Sequence, residues 1–204
     1  HFEMFPSLSR DGRYVAYTTW NDSELGSVRV ASLDRGANQE NWTVTENPGH
    51  YTEPVFSPDG KTILYSRVGG GLIRSSLWSR DQGVYRVDAR GGESKRILKK
   101  GNRPSFGDSN DRFFYQLGKR EKDADNRAFI SVDLDGKEPQ THYTSKWATD
   151  YRISPDGKWL AFVERFNVYV APFVSTSRSI LVGPKGKTLP IAQVSKEAGI
   201  SIHF

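Results

Sequence analysis

Six residues, Gly183-Pro184-Lys185-Gly186-Lys187-Thr188, look like a loop built to cradle phosphates. That motif needs a further Gly five residues before the Gly that precedes Lys. Leu181 stands there, so the spacing fails and the stretch reads as a turn between strands. The four histidines, His1, His50, His142 and His203, are far apart, and no sequence signal pairs one of them with a Ser and an Asp. Gly-x-Ser-x-Gly, the elbow that presents a hydrolase nucleophile, does not occur. With no Cys there is no thiol nucleophile, disulfide framework or Cys-ligated zinc. Asp133-Leu134-Asp135-Gly136 spaces two carboxylates as a calcium loop does but lacks the late Glu, and reads as a strand ending in a hairpin turn. No residue is therefore assigned as catalytic, cofactor-binding or metal-ligating, and no cofactor is expected.

Asp11, Asp59 and Asp156 resemble acid–base candidates until their surroundings are compared. Each sits in a turn, Ser9-Arg10-Asp11-Gly12, Ser57-Pro58-Asp59-Gly60 or Ser154-Pro155-Asp156-Gly157. Pro presets the second position of such a turn, Asp bonds nearby backbone N–H groups, and Gly suits the fourth position. These carboxylates are thus expected to stabilise their own turns. A fourth copy, Gly107-Asp108-Ser109-Asn110, puts Asn110 where the others have Gly, and Asn110 is expected to take over the left-handed backbone.

The turns belong to an ungapped repeat that opens at Phe5, Glu53, Arg103 and Asp150 and closes on Tyr17, Tyr65, Tyr115 and Phe162, a period of about 48 residues. Before each turn runs a short apolar strand. After it come strands at 14–18, 62–66, 112–116 and 159–163, apolar enough to be buried on both faces. Third strands follow from Ser27, Gly83, Ala128 and Asn167, and weaker outer ones at 41–45, 95–98, 140–143 and 179–182. Long helical periodicity is absent; only 194–199 suits a single helical turn. Four strands per repeat make a propeller blade. The expected fold is an all-β β-propeller of about four blades of four antiparallel strands. The repeats divide as 1–48, 49–98, 99–146 and 147–195, and 196–204 starts a further blade. A β-sandwich would not produce four copies in register.

The segment F-S-P-D-G-K-x-apolar-apolar-aromatic resembles the TolB-like β-propeller repeat, a relative of WD40 blades, along essentially the whole chain. That repeat also occurs in tricorn-type proteases, in propeller domains of prolyl-oligopeptidase-like peptidases, and ahead of amidohydrolase domains. Three stretches, Thr144 to Arg152, Glu164 to Phe173 and the tail with Leu189-Pro190-Ile191, resemble the last group most, as do Gly69-Gly70-Gly71 and Leu77-Trp78. The resemblance implies that these blades are part of a larger ring of six or more, and that the chain is a non-catalytic scaffold, protein-interaction or substrate-gating module of a larger metal-dependent amidohydrolase, in the periplasm or secreted. It leaves open a stand-alone TolB-type binding propeller and the propeller of a serine peptidase. The amidohydrolase metal site itself needs an early His-x-His, and no two histidines here stand two apart.

The net charge of +5 is small, and the densest basic run, Lys95 to Lys100, is short with Glu93 beside it. Nucleic acid is not expected as a partner, and no apolar run is long enough for a membrane-spanning helix. The expected partner is another domain of the same polypeptide or another protein, with self-association through open propeller edges as a further route. The insertion from Arg67 to Gln82 is the segment chosen for that contact. It joins strands that a short hairpin turn would connect. It carries Leu72, Ile73, Leu77 and Trp78 to bury and Arg67, Arg74 and Arg80 to pair. The charged loop 118–127 is expected to face solvent.

Overall fold

Sixteen strands make up four antiparallel sheets in the computed structural model, which describes residues 2–34, 40–68, 81–118, 127–145, 148–164, 167–173 and 189–190. The first sheet holds β1 (Phe2–Leu8), β2 (Tyr14–Asn21), β3 (Leu25–Ser32) and β4 (Asn41–Thr43). The second holds β5 (Tyr51–Phe56), β6 (Thr62–Arg67), β7 (Gly83–Asp88) and β8 (Lys95–Leu98). The third holds β9 (Asn102–Phe106), β10 (Arg112–Leu117), β11 (Arg127–Asp133) and β12 (Gln140–Ser145). The fourth holds β13 (Thr149–Ile153), β14 (Trp159–Glu164), β15 (Asn167–Pro172) and β16 (Leu189–Pro190). Every sheet runs in chain order as an antiparallel meander, and this is a four-bladed propeller arrangement.

The first strand of each blade lies towards the axis, because β1 packs on β5, β5 on β9 and β9 on β13. Cores form between successive blades. Ala16, Val28 and Val30 meet Ile63, Tyr65 and Tyr85. Leu64 and Val84 meet Phe113, Tyr115 and Ile130, and Phe114 and Phe129 meet Leu160 and Phe162. Strand alternation explains this: odd and even residues of β6 or β10 point to opposite neighbours, so both faces are buried.

Three expectations need correction. Strand β2 buries only Ala16 and Thr18, not both faces, because among the described residues no sheet covers its other side. The outer strand of the fourth blade is Leu189–Pro190, paired with Tyr169 and Val170. The segment 179–182 chosen for that role lies outside the described residues; both stretches suit an edge, and local apolarity does not choose between them. Finally, Asn110 is not among the left-handed residues. Its side chain instead accepts a hydrogen bond from the Asp59 backbone N–H of the neighbouring blade, at 2.9 Å.

Candidate functional site

The other three turns share one construction. Ser9, Ser57 and Ser154 donate from Oγ to Oδ1 of Asp11, Asp59 and Asp156 at 2.6, 2.6 and 2.5 Å. Each Asp Oδ1 also accepts the backbone N–H two residues on, from Arg13, Lys61 or Lys158. Gly12, Gly60 and Gly157 carry φ of 72, 73 and 69°, which their missing Cβ permits. The hydrogen bonds from Ser9 and Arg13 hold the Asp11 carboxyl at a pKa of about 2. Those from Ser57 and Ser154 lead in lowering Asp59 and Asp156. Asp133 also caps its own hairpin turn, accepting from the N–H groups of Asp135 and Lys137. Asp135 pairs with Lys95 of the neighbouring blade at 2.9 Å.

Along the axis the structure assembles residues that sequence reasoning missed. Each first strand carries one extra residue relative to its partner, at the register shifts after Met4, Thr52, Asn102 and Thr149. At each bulge a non-glycine residue is left-handed: Phe5 (53°), Glu53 (53°), Arg103 (54°) and Asp150 (57°). These are the four residues that open the repeat. Strained φ of this kind persists only where the surroundings hold it. Here an ion-pair chain joins three blades: Arg103 pairs with Asp150 and with Glu53 at 3.2 Å, and Arg152 lies 3.7 Å from Glu53. Ser66 Oγ accepts from Arg103 N–H, and Gln116 donates to the Tyr151 carbonyl, so each supports the bulge of the next blade. At the turn end Arg10 reaches across to the carbonyls of Gly107 (2.6 Å) and Pro155 (2.9 Å). The signal that was available was a charged or aromatic residue opening every copy, three times before Pro.

Of the insertion, Arg67 is described; Leu72, Ile73, Arg74, Leu77, Trp78 and Arg80 lie outside the described residues, as do 119–126, 183–188 and 194–204. The root of the insertion is tied down. Val68 N–H donates to the His50 carbonyl at 3.0 Å, and Tyr85 O–H to the Asp81 carbonyl at 2.6 Å. Arg67 stands 5.9 Å from the centre of the Tyr51 ring. Beside it a hollow of about 260 Å³ opens between the first two blades, lined by Tyr51, Tyr65, Tyr85, Glu46 and Glu93. A larger cleft of about 710 Å³ follows the uncovered face of the first blade, past Glu3, Tyr17, Glu24 and Arg29. His50 lies tilted against the Trp20 ring and His142 is buried beside Ser131, so the structure does not bring these two histidines together. Among the described residues no group of three or more His, Cys, Asp and Glu is arranged to hold a metal ion.

Neither a protein-family model nor a curated protein sequence matches the chain. Solved structures do. TolB from Acinetobacter baumannii superposes with a TM-score of 0.64 at 19% identity, over 84% of this chain and 40% of that one. A putative TolB from Agrobacterium tumefaciens gives 0.57 at 18% identity, over 86% and 60%. An acylaminoacyl peptidase from Pyrococcus horikoshii gives 0.55 at 14% identity, over 93% and 32%. The chain therefore has a TolB-like β-propeller fold, and it spans less than two thirds of each of these proteins.

Proposed function

We propose that this chain is a non-catalytic propeller module, a scaffold and protein-contact domain of a larger hydrolase. The observation that carries the reading is the axis. Arg103, Glu53, Asp150 and Arg152 are spent on one another across three blades, and Arg10 on two backbone carbonyls. Polar groups committed to holding blades together serve rigidity, and a rigid propeller presents its loops and outer faces to a neighbour. One face of the fourth blade, uncovered among the described residues, suits such a contact. Trp159 and Val168 are 46% and 43% exposed there, and Ala161, Val163 and Val170 are half-buried beside them. In the other blades the equivalent face is core. A second copy seated on this face is the self-association route.

Repeat resemblance favours an amidohydrolase as the neighbour. Sequencing the parent gene on both sides tests this: His-x-His and further blades support it, and Gly-x-Ser-x-Gly would replace it with a serine peptidase. A gene ending with the propeller, together with capture of a peptidoglycan-associated lipoprotein, would make it a stand-alone TolB-type binder. Hydrolase turnover by the isolated chain, abolished by one polar substitution, would overturn the non-catalytic assignment.

A further inference from the structure

A pocket of about 220 Å³ lies at the seam of the third and fourth blades, beside the bulges of β9 and β13. Its floor is set by one position of the repeat, the second-strand residue opposite the last residue before the bulge. Thr18, Ser66 and Gln116 hold that position in the first three blades. The two short hydroxyls bond to backbone: Thr18 Oγ1 donates to the Met4 carbonyl at 3.3 Å, and Ser66 Oγ accepts the Arg103 N–H at 3.2 Å. Gln116 is longer and only 8% exposed. It donates a side-chain N–H to the Tyr151 carbonyl at 2.8 Å, which fixes which end of the amide is nitrogen. The amide oxygen accepts from no described residue and is left to the pocket that Gln116 lines. A carbonyl oxygen in so buried a place is costly without a donor, so the site is built for an occupant that brings an N–H or O–H. Charge comes from the same face. Phe129 is the partner of Gln116 on β11, and Arg127, two residues earlier, falls on the same side of the sheet. Arg127 is exposed, lines the pocket and pairs with no described carboxylate. The other cation of the pocket, Arg103, is already neutralised by Asp150 and Glu53. Leu117 and Ala148 add an apolar wall. One uncommitted cation and one uncommitted acceptor thus share a hollow smaller than the roughly 300–1,000 Å³ that holds a drug-sized ligand.

We propose that this pocket takes the C-terminal residue of a partner polypeptide. The terminal carboxylate pairs with Arg127, and the amide N–H of the same residue donates to the Gln116 oxygen. A guanidinium–carboxylate pair is charge-assisted. Only a chain end sets a carboxylate on the carbon that also bears an amide N–H; an Asp or Glu side chain holds its carboxylate one or two carbons further off. The volume suits a small side chain on the terminal residue. The inference rests on the reading of the propeller as a protein-contact module and is independent of which hydrolase, if any, lies beside it.

The test is an NMR titration of the whole 204-residue chain with acetyl-Gly-Gly-Ala bearing a free carboxylate, with its carboxamide twin, and with an amidated acetyl-Gly-Glu-Gly peptide. The free acid is expected to shift the side-chain N–H signals of Gln116 and Arg127 and to bind at least about tenfold tighter than either of the other two. Arg127→Gln, at an exposed position, should lose about tenfold with an unchanged melting temperature. Gln116→Ser installs the residue that the second blade carries at the same place, and should also weaken binding. Equal binding of the acid and its carboxamide, equal binding of the internal glutamate peptide, binding undiminished in either variant, or no binding at millimolar peptide would each overturn the proposal. None of these outcomes alters the parent-gene and lipoprotein-capture results, so failure here is distinguishable from failure of the module reading.

Discussion

His142 is 3% exposed, with the rings of Phe114 and Phe173 each 5.2 Å away. Ser131 Oγ accepts from Arg112 at 3.1 Å and is hydrogen-bonded to His142 Nε2 at 2.6 Å. Burial, and then the Arg112 charge, lower the His142 pKa from 6.5 to about 4. Between those values the unfolded chain binds a proton that the folded chain refuses. Stability should therefore fall as pH drops from above 6.5 towards 4, by up to about 3 kcal/mol. Urea unfolding across that range should show the slope, and His142→Phe should flatten it; an unchanged slope would assign it to other groups. The turn residues allow a sharper contrast. Gly60→Ala has open space around the new methyl, so only its φ of 73° is costly, by about 1 kcal/mol. Asn110→Gly should also destabilise, by about 1 kcal/mol, because it removes the bond to Asp59 N–H. A stabilised Asn110→Gly protein would mean that Asn110 is strained.

At the scale of the element, the one-residue bulge in each first strand joins the blades. It turns the opening residue of the repeat towards the axis, where Glu53, Arg103 and Asp150 meet. The Glu53 side chain is only 14% exposed, so removing its partner leaves a poorly hydrated charge. Arg103→Met should cost about 1–3 kcal/mol, and adding Glu53→Gln should recover part of it. Melting of the two single variants and the double variant checks this; strict additivity would show that the pair is not coupled. None of these contacts was legible beforehand. Residues before Pro are biased to extended backbone, which gave no reason to expect left-handed residues at Phe5, Glu53 and Arg103. The glycine-marked turns were legible, because their bonds run between residues two to five apart.

Among the described residues the first and fourth blades each leave one face uncovered, and the two faces differ in chemistry. On the fourth blade the uncovered face carries Trp159, Ala161, Val163, Val168 and Val170. On the first blade it carries Tyr17, Arg29, Asn41 and Thr43, already hydrogen-bonded among themselves. Apolar and polar faces make poor mutual partners, so head-to-tail stacking of copies is disfavoured relative to an apolar partner on the fourth blade. The isolated chain should therefore bind a hydrophobic dye. Val168→Lys should reduce the signal while Arg29→Gln leaves it unchanged; equal effects would remove the distinction between the ends.

The sequence by itself determined what depends on short range: the strands, the serine–aspartate–glycine turns, the repeat of about 48 residues, and through them the propeller. Tertiary structure alone decided which side chains meet across blades: Arg103 with Glu53 and Asp150, and Arg10 with Gly107 and Pro155. The physical reason is distance along the chain. A turn's partners are set by local backbone geometry, whereas partners about 50 or more residues apart are fixed only once the inter-blade cores have set each sheet against the next.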